Sequence, residues 1–387
     1  MTSENYARPL RVGIAAGGTG GHIYPGLAVA DALRCLTGGT VEVTFFGVAG
    51  RLEETLVPQH GYPLHTSTMV GLTGLRGFTL PTRLTVAALT CAREMRRLDL
   101  NVVIGMGGYP SAAAVVGAWL ARVPLVIHES NAVPGRANAF ASLLTRNVAV
   151  TFPSAANLFS RRADVRIVGM PLIPSVAAVN RAELGPTARA RFGLKPDQKL
   201  VVVSGGSLGA RRLTEAAVDL AHRWAKRSDV RVIVKTGPAA LADVERRLPA
   251  CSIVTAVGYI DDMDLAYAAA DVFVGRSGSA TVSELSHIGV PSILVPYPHA
   301  PGNHQLHNAR SLSDTGAAIV IDDAALTGET LASQLDELFS DPDHLVLMSR
   351  NVRKMRRPQA ALELAQWACE LAPCPIPSYC TVSEVAA

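Results

Sequence analysis

Short apolar runs alternate along the chain with longer segments whose apolar residues recur at helical spacing. Arg11–Ala16, Val41–Phe46, Asn101–Gly105, Pro124–His128 and Asn147–Val150 predict strands, and Ile23–Leu36, Leu80–Leu98 and Ser111–Ala121 predict the helices between them. The alternation then repeats, with strands predicted at Leu200–Ser204, Arg231–Lys235, Cys251–Ala256, Asp271–Val274 and Ser292–Val295. Apolar strands separated by helices are what a parallel sheet covered on both faces requires. The fold class is therefore α/β, with two Rossmann-like parallel-sheet halves. The segment from Pro171 to Pro196 lacks strand pattern and holds four prolines, Pro171, Pro174, Pro186 and Pro196, so its start predicts the hinge. Beyond Leu345 the pattern is helical and basic (Arg350, Arg353, Lys354, Arg356, Arg357). Pro358 marks a break before a last helix at Gln359–Leu371.

Composition mainly excludes. With 387 residues, 49% hydrophobic and 18% charged, the chain can bury two cores. A net charge of +4 without a dense Lys/Arg block argues against nucleic acid as a partner. Met1–Pro9 is polar and predicts no leader peptide, and no apolar run reaches the length of a membrane span. The six cysteines, Cys35, Cys91, Cys251, Cys369, Cys374 and Cys380, have no paired metal spacing and read as scattered reduced thiols.

Ligands of open parallel sheets bind outside the carboxyl ends of the strands. The first strand delivers Gly17-Gly18-Thr19-Gly20-Gly21-His22 there. Asn101–Gly105 delivers Gly105-Met106-Gly107-Gly108-Tyr109, and the next strand delivers His128-Glu129-Ser130-Asn131. The second half opens with Ser204-Gly205-Gly206-Ser207-Leu208-Gly209. One glycine-rich strand-end loop is weak evidence, because tight turns use glycine for packing. Three of them describe a cleft for phosphate-rich ligands. Asp271–Val274 runs into a small polar turn and then a helix from about Ala280 to Gly289. The N–H groups at that helix start suit a diphosphate, and Glu284, about one turn in, suits a pair of ribose hydroxyls. Gln305 and Asn308 follow in a segment that can fold back over the same spot. His22 is the best candidate base, since a histidine at a helix N-terminus tends to be neutral. His128 and Glu129 read first as orienting groups and second as alternative bases. His299, His304 and His307 lack a carboxylate or Cys partner nearby and predict ligand or solvent contact, with no metal.

The segments GGTGGHIYPGLAVA, GMGGYPSAA, HESNAVPGRAN, GGSLGARRL, YIDDM, GRSGSATVSE and NHQLHNA, in this order, resemble the MurG family. These are peptidoglycan N-acetylglucosaminyltransferases of glycosyltransferase family 28, which convert lipid I to lipid II. The resemblance runs from about Arg11 to Arg310. It implies the GT-B fold, two Rossmann-like domains facing across a cleft. The implied organisation is an acceptor and membrane domain at 1–168 joined by the C-terminal helix 356–374, a UDP-sugar domain at 169–355 and a loose tail at 375–387. The implied reaction is an inverting, metal-independent transfer without a cofactor. UDP-N-acetylglucosamine is the donor and a prenyl-(pyro)phosphate-linked lipid the acceptor, and the enzyme is peripheral on the cytoplasmic face of the cell membrane.

The resemblance also assigns roles. Ser207 and the helix start Ser279, Ala280 and Thr281 approach the UDP diphosphate, and Gly206, Val282 and Ser283 belong to the donor site with them. Ile260 lines the uracil pocket, Glu284 holds the ribose, and Gln305 with Asn308 serves the sugar side. Thr19, Gly20, Gly21 and Asn131 complete the donor site. Gly18, Gly20, Gly21, His22, Gly107, Gly108, Tyr109, His128 and Glu129 belong to the acceptor side. The chain departs from the family at the hinge, where Gly169-Met170-Pro171-Leu172-Ile173 stands in place of Gly-Asn-Pro-x-Arg. Leu208 and Thr214 stand where Gln and Asn are usual. The competing readings are a MurG-like enzyme acting on another prenyl-phosphate lipid, as in phosphoglycolipid antibiotic assembly, and a UDP-N-acetylglucosamine 2-epimerase. A nucleotide sensor without turnover is a third. A dinucleotide oxidoreductase is disfavoured, because GGTGGH is not G-x-G-x-x-G.

One stretch predicts membrane contact. Leu72, Leu75, Phe78 and Leu80 lie in the apolar loop GLTGLRGFTL, followed by Arg83, Arg93, Arg96 and Arg97 on a helix. Trp119 and Arg122 close another helix. Shallow insertion with the arginines against anionic lipid is the expected arrangement.

Overall fold

Two all-parallel sheets carry the molecule in a computed structural model that describes residues 9–67, 80–206, 209–250 and 252–373. The first holds β1 (Arg11–Ala15), β2 (Glu42–Val48), β3 (Leu64–Ser67), β4 (Val102–Gly105), β5 (Leu125–Glu129), β6 (Asn147–Val150) and β7 (Asp164–Ile167), in the order β3-β2-β1-β4-β5-β6-β7. The second holds β8 (Lys199–Ser204), β9 (Val230–Lys235), β10 (Val254–Val257), β11 (Val272–Gly275), β12 (Ser292–Leu294) and β13 (Ala318–Val320), in the order β10-β9-β8-β11-β12-β13. Each sheet belongs to its own compact unit. The first unit comprises the residues up to Ile173 and those from Arg357 on, and the second comprises Pro174–Arg356.

Both sheets begin in the middle. In register, Ile14 of β1 stands between Phe45 of β2 and Ile104 of β4. Val203 of β8 stands likewise between Val234 of β9 and Val274 of β11. The chain direction of the sheet order reverses at β1/β4 and at β8/β11. Such switch points leave a crevice where the following loops part. GGTGGH and GMGGYP leave the first pair, and GGSLGA and GRSGS leave the second.

The central strands are buried on both faces, which is why their sequences are nearly all apolar. In the first unit, Val12, Ile14, Leu27 and Leu33 share a core with Leu364, Trp367 and Ala368 of the last helix, Ala360–Leu371. That helix lies on the helix Gly20–Leu36, and Arg166 stacks its guanidinium on the Trp367 ring at 4.2 Å. Apolar burial of this kind contributes about 25 cal/mol per Å². The chain's two crossings meet inside the first unit. Gly169 has φ +89°, and a Cβ there would stand 2.4 Å from Cβ of Arg357.

Several expectations are corrected. β3, β7 and β13 were not predicted, and each is a short edge strand or its neighbour with few buried positions. The first helix begins at Gly20 rather than Ile23, so His22 stands within its first turn. The proline-rich segment after Pro171 holds helices at Pro174–Ala177 and Arg181–Arg191, the latter capped by Asn180 Oδ1 accepting from the Ala182 N–H and containing Pro186. Met170 is buried in the first unit, and its apolar side chain fits that surrounding. The compact units divide at Ile173/Pro174 and Arg356/Arg357, a few residues later than 168/169 and one later than 355/356. Among the described residues no helix is long and apolar enough to cross a membrane.

Candidate functional site

In the first unit the loops after β1, β4 and β5 converge on one another. Glu53, fully buried at the start of the helix Glu53–Gln59, accepts from the Gly18 N–H (2.9 Å) and the Val48 N–H (3.0 Å). Thr19 is the N-cap of the first helix, and its Oγ1 lies 3.1 Å from Nδ1 of half-buried His22. Gly20 and Gly21 follow in the first turn, which holds no acid and no side-chain cap. Gly107 and Gly108 both adopt positive φ, and a Cβ on Gly108 would stand 3.1 Å from His22 Nδ1. Only glycine lets the two loops close this far. Tyr109 is half-buried, and burial raises its phenol pKa.

His128 and Glu129 end β5 with no exposure to speak of. His128 Nε2 lies 2.8 Å from the Gly169 carbonyl oxygen, a separation at which the ring donates. Burial lowers its pKa to about 4, opposed by the Gly169 bond and assisted by nearby His22. The ring is therefore neutral at ordinary pH. Glu129 Oε1 accepts from the Asn131 N–H (2.8 Å) and Nδ2 (3.3 Å). Its Oε2 accepts from the Gly135 N–H and Asn138 Nδ2, both at 2.9 Å. Both residues hold this loop from within.

In the second unit the helix Ser279–Ile288 starts at Gly278 without a side-chain cap. Val282 is buried, and its N–H is taken by the Gly278 carbonyl at 3.0 Å, so the open donors are those of Ser279, Ala280 and Thr281. Ser283 and Glu284 are half-buried in the next turn. Glu284 Oε2 accepts from the Tyr267 hydroxyl at 2.8 Å. Burial raises the Glu284 pKa, and the Tyr267 bond opposes this. Burial, with Glu284 adjacent, pushes the Tyr267 phenol far upward.

The turn before this helix is tied from behind. Ser277 Oγ donates to the Gln305 carbonyl (2.7 Å), and Asn308 Nδ2 donates to the Ser277 carbonyl (3.1 Å). Asn308 is fully buried, so it shapes the loop that the sequence had it touch a ligand beside. Gln305 accepts at Oε1 from the Tyr297 N–H (2.9 Å) and lines a pocket of ≈ 680 Å³ beyond β8, β11 and β12. Arg211, Arg212, Arg276, His299 and Asp323 line it too. Ile260 is buried at a second pocket of ≈ 300 Å³, with Phe192, Ile233, Val257 and Tyr259. Gly206 leaves β8 with φ +82° into open space. Ser207, Leu208, Leu72, Leu75 and Phe78 lie outside the described residues, and Leu80 is described only as the first residue of the helix Leu80–Arg97. Among the described residues no group of three or more His, Cys, Asp or Glu could hold a metal.

Sequence reasoning missed Glu53, Tyr267 and Asp323. Each acts on a residue far away in the chain, and nothing local marks it. Arg276 was visible only as part of the turn.

Two parallel α/β units with glycine-rich loops at their switch points make up the GT-B fold. The model of the glycosyltransferase family 28 N-terminal domain matches residues 12–150, and that of its C-terminal domain matches residues 200–364. The chain is 37% identical over 367 residues to the UDP-N-acetylglucosamine--N-acetylmuramyl-(pentapeptide) pyrophosphoryl-undecaprenol N-acetylglucosamine transferase of Moorella thermoacetica, covering 92% of this chain and 98% of that one. To the relative of the same name in Streptomyces coelicolor it is 38% identical over 354 residues, covering 91% and 95%. The crystal structure of Acinetobacter baumannii MurG matches with a TM-score of 0.76 at 27% identity, over 94% of this chain and 100% of that one. The chain belongs to glycosyltransferase family 28, among the MurG-type N-acetylglucosamine transferases.

Proposed function

We propose that this protein transfers N-acetylglucosamine from UDP-N-acetylglucosamine to N-acetylmuramyl-(pentapeptide) pyrophosphoryl-undecaprenol. The observation that carries the reading is the uncapped start of the helix Ser279–Ile288, with Glu284 one turn inside it and three arginines in the neighbouring pocket. N–H groups and guanidinium ions fixed in advance stabilise the charge that gathers on a departing diphosphate. They perform that task without a metal or cofactor. Glu284 Oε2 is held by Tyr267, which orients the carboxylate towards ribose hydroxyls. Ile260 serves the base and Gln305 the sugar.

The first unit supplies the acceptor side. Gly18, Gly20, Gly21, Gly107, Gly108 and Tyr109 offer close backbone approach to the acceptor pyrophosphate. Asn131 completes the donor side from the same unit. His22 removes the proton of the attacking hydroxyl as the bond to the anomeric carbon forms and the bond to UDP breaks, which inverts the anomeric centre. Thr19 fixes the imidazole at Nδ1.

The enzyme works as a peripheral protein at the cytoplasmic face of the membrane. Val86, Leu89, Trp119, Phe140 and Leu143 are exposed on or just after the helices Leu80–Arg97, Ala112–Ala121 and Arg136–Ala141, which pack side by side. Arg93, Arg96 and Arg122 stand among them. An apolar surface with a basic rim suits anionic lipid. Flotation on anionic vesicles tests this surface, and equal flotation after Trp119→Ser plus Leu143→Ser would sink it.

The function is tested by turnover with UDP-N-acetylglucosamine and lipid I in the presence of EDTA, then with other prenyl-phosphate sugars. UDP release that requires lipid I is the expected result. UDP release without an acceptor would favour the epimerase reading, and turnover of a different lipid alone would favour the paralogue.

A further inference from the structure

In the ≈ 680 Å³ pocket a carboxylate ties two of the arginines together. Arg211, Arg212 and Arg276 line the pocket with one carboxylate, Asp323, which contacts Arg212 and Arg276. Asp323 opens the short turn Asp323–Ala325 soon after β13. Its Oδ1 lies 2.7 Å from Arg276 Nη1, and its Oδ2 lies 3.0 Å from Arg212 Nε. The Arg276 and Asp323 side chains are only 12% and 14% exposed, so this contact is screened little by solvent. Arg276 Nη1 also donates to the carbonyls of Val295 (3.1 Å) and Pro296 (3.2 Å). One corner of that guanidinium is therefore fixed. Its Nε and Nη2 have no protein hydrogen bond among the described residues.

Arg211 and Arg212 occupy the first turn of the helix Arg211–Arg223. Its N-cap is Ala210, and its first turn has no acid. Cations at a helix N-terminus oppose the macrodipole. Glu215, one turn on and itself bonded to Arg247, meets part of the charge of Arg211, and Asp323 meets part of that of Arg212. The arrangement is that of a site awaiting a further anion. Asp323 also joins the two loops that part at the β8/β11 switch point, because one of its arginines follows β8 and the other follows β11.

We infer that Arg212 contacts the diphosphate of the nucleotide sugar and that Asp323 is a positioning residue that aligns Arg212 and Arg276 towards it. The inference rests on the nucleotide-sugar reading and adds to it the positioning role of Asp323 and the contact it sets up through Arg212. A carboxylate beside an anion site has two opposing effects. It repels the ligand directly, and it holds the guanidinium groups in the geometry that binds it. Removing it tightens UDP binding if repulsion dominates and weakens it if alignment dominates. The close charge contacts of Asp323 with both arginines favour alignment.

The test is a calorimetric comparison of UDP, UMP and uridine binding to the wild-type protein and to Arg212→Ala, Asp323→Asn and Asp323→Glu. Thermal midpoints are measured alongside. Arg212 is half exposed, so its truncation leaves the fold in place. UDP affinity should fall about tenfold in Arg212→Ala and Asp323→Asn, as for loss of one hydrogen bond to a charged group. Uridine affinity should stay within about twofold, and Asp323→Glu should recover part of the loss by the same account. UDP affinity that is unchanged or raised in Asp323→Asn would overturn the inference. So would an equal loss for uridine, which marks a purely structural role. If the wild-type protein bound no UDP, the nucleotide reading would fall and the inference with it. Wild-type UDP binding left intact in the variants would remove the inference alone.

Discussion

Glu53 and Glu129 in the first unit spend their buried carboxylates on backbone and amide N–H groups of the strand-end loops. Asp323 in the second unit spends its carboxylate on two guanidinium groups, and Glu284 keeps one oxygen for other partners after meeting Tyr267. The loops stand at the same topological point in both units. In the first, acids fix the shape of the loop and cancel part of its attraction for anions. In the second, where the helix start lacks a side-chain cap as it does in the first, the arginines of the pocket outnumber the acid. On the proposed function, this difference suits the second unit to the charged nucleotide and the first to a rigid frame for the base and the acceptor.

His22→Ala is expected to have the largest effect, a fall in turnover of about 10²–10⁴-fold with UDP affinity nearly unchanged. Parallel loss of UDP affinity would break the division. Glu129→Ala comes next. It strands N–H groups of Asn131, Gly135 and Asn138, so urea unfolding should show the first unit destabilised by about 3 kcal/mol. UDP affinity should persist wherever the fold does, and its loss at low denaturant would argue that the units are not separable in this way.

His128 gives a pH signature of comparable size. Its folded pKa of about 4 lies below the ordinary 6.5, so the unfolded chain binds the proton first on acidification. The stability it contributes is whole above pH 6.5 and is lost as pH falls towards 4, to the extent of roughly 3 kcal/mol. His287, buried in the second unit, is shifted in the same direction. His128→Gln, which keeps a donor for Gly169, should flatten the slope of stability against pH in this window only in part. An unaltered slope would remove His128 from the account. The smallest effect is expected for Glu284→Ala, about a tenfold weakening of UDP by calorimetry. Unchanged affinity would show that the ribose lies elsewhere.

The central strands were legible because burial on both faces leaves them almost wholly apolar, as in Val201-Val202-Val203. β3, β7 and β13 were not. β7 is an outermost strand whose residues Asp164, Arg166 and Ile167 are exposed, so its pattern resembles a loop. The helix Arg181–Arg191 was hidden by Pro186 and by its polar composition. The loops that form the candidate site were legible because glycine runs at strand ends are local features. Their braces were not: Glu53 lies 35 residues from Gly18, which it holds, and Asp323 answers arginines on two other elements. A contact made by tertiary folding leaves no trace in local spacing.

The last helix, Ala360–Leu371, also dictates an order of events on the ribosome. Leu364, Trp367 and Ala368 complete a core whose members outside the last helix lie between Leu10 and Val168. The first unit therefore waits, with Leu27 and its neighbours uncovered, while the second unit is made and can close by itself. At ~5–20 residues per second the interval from Ile173 to Leu371 is roughly 10–40 s. A nascent chain paused before Gln359 would hold a second unit free to close and a first unit still lacking part of its core.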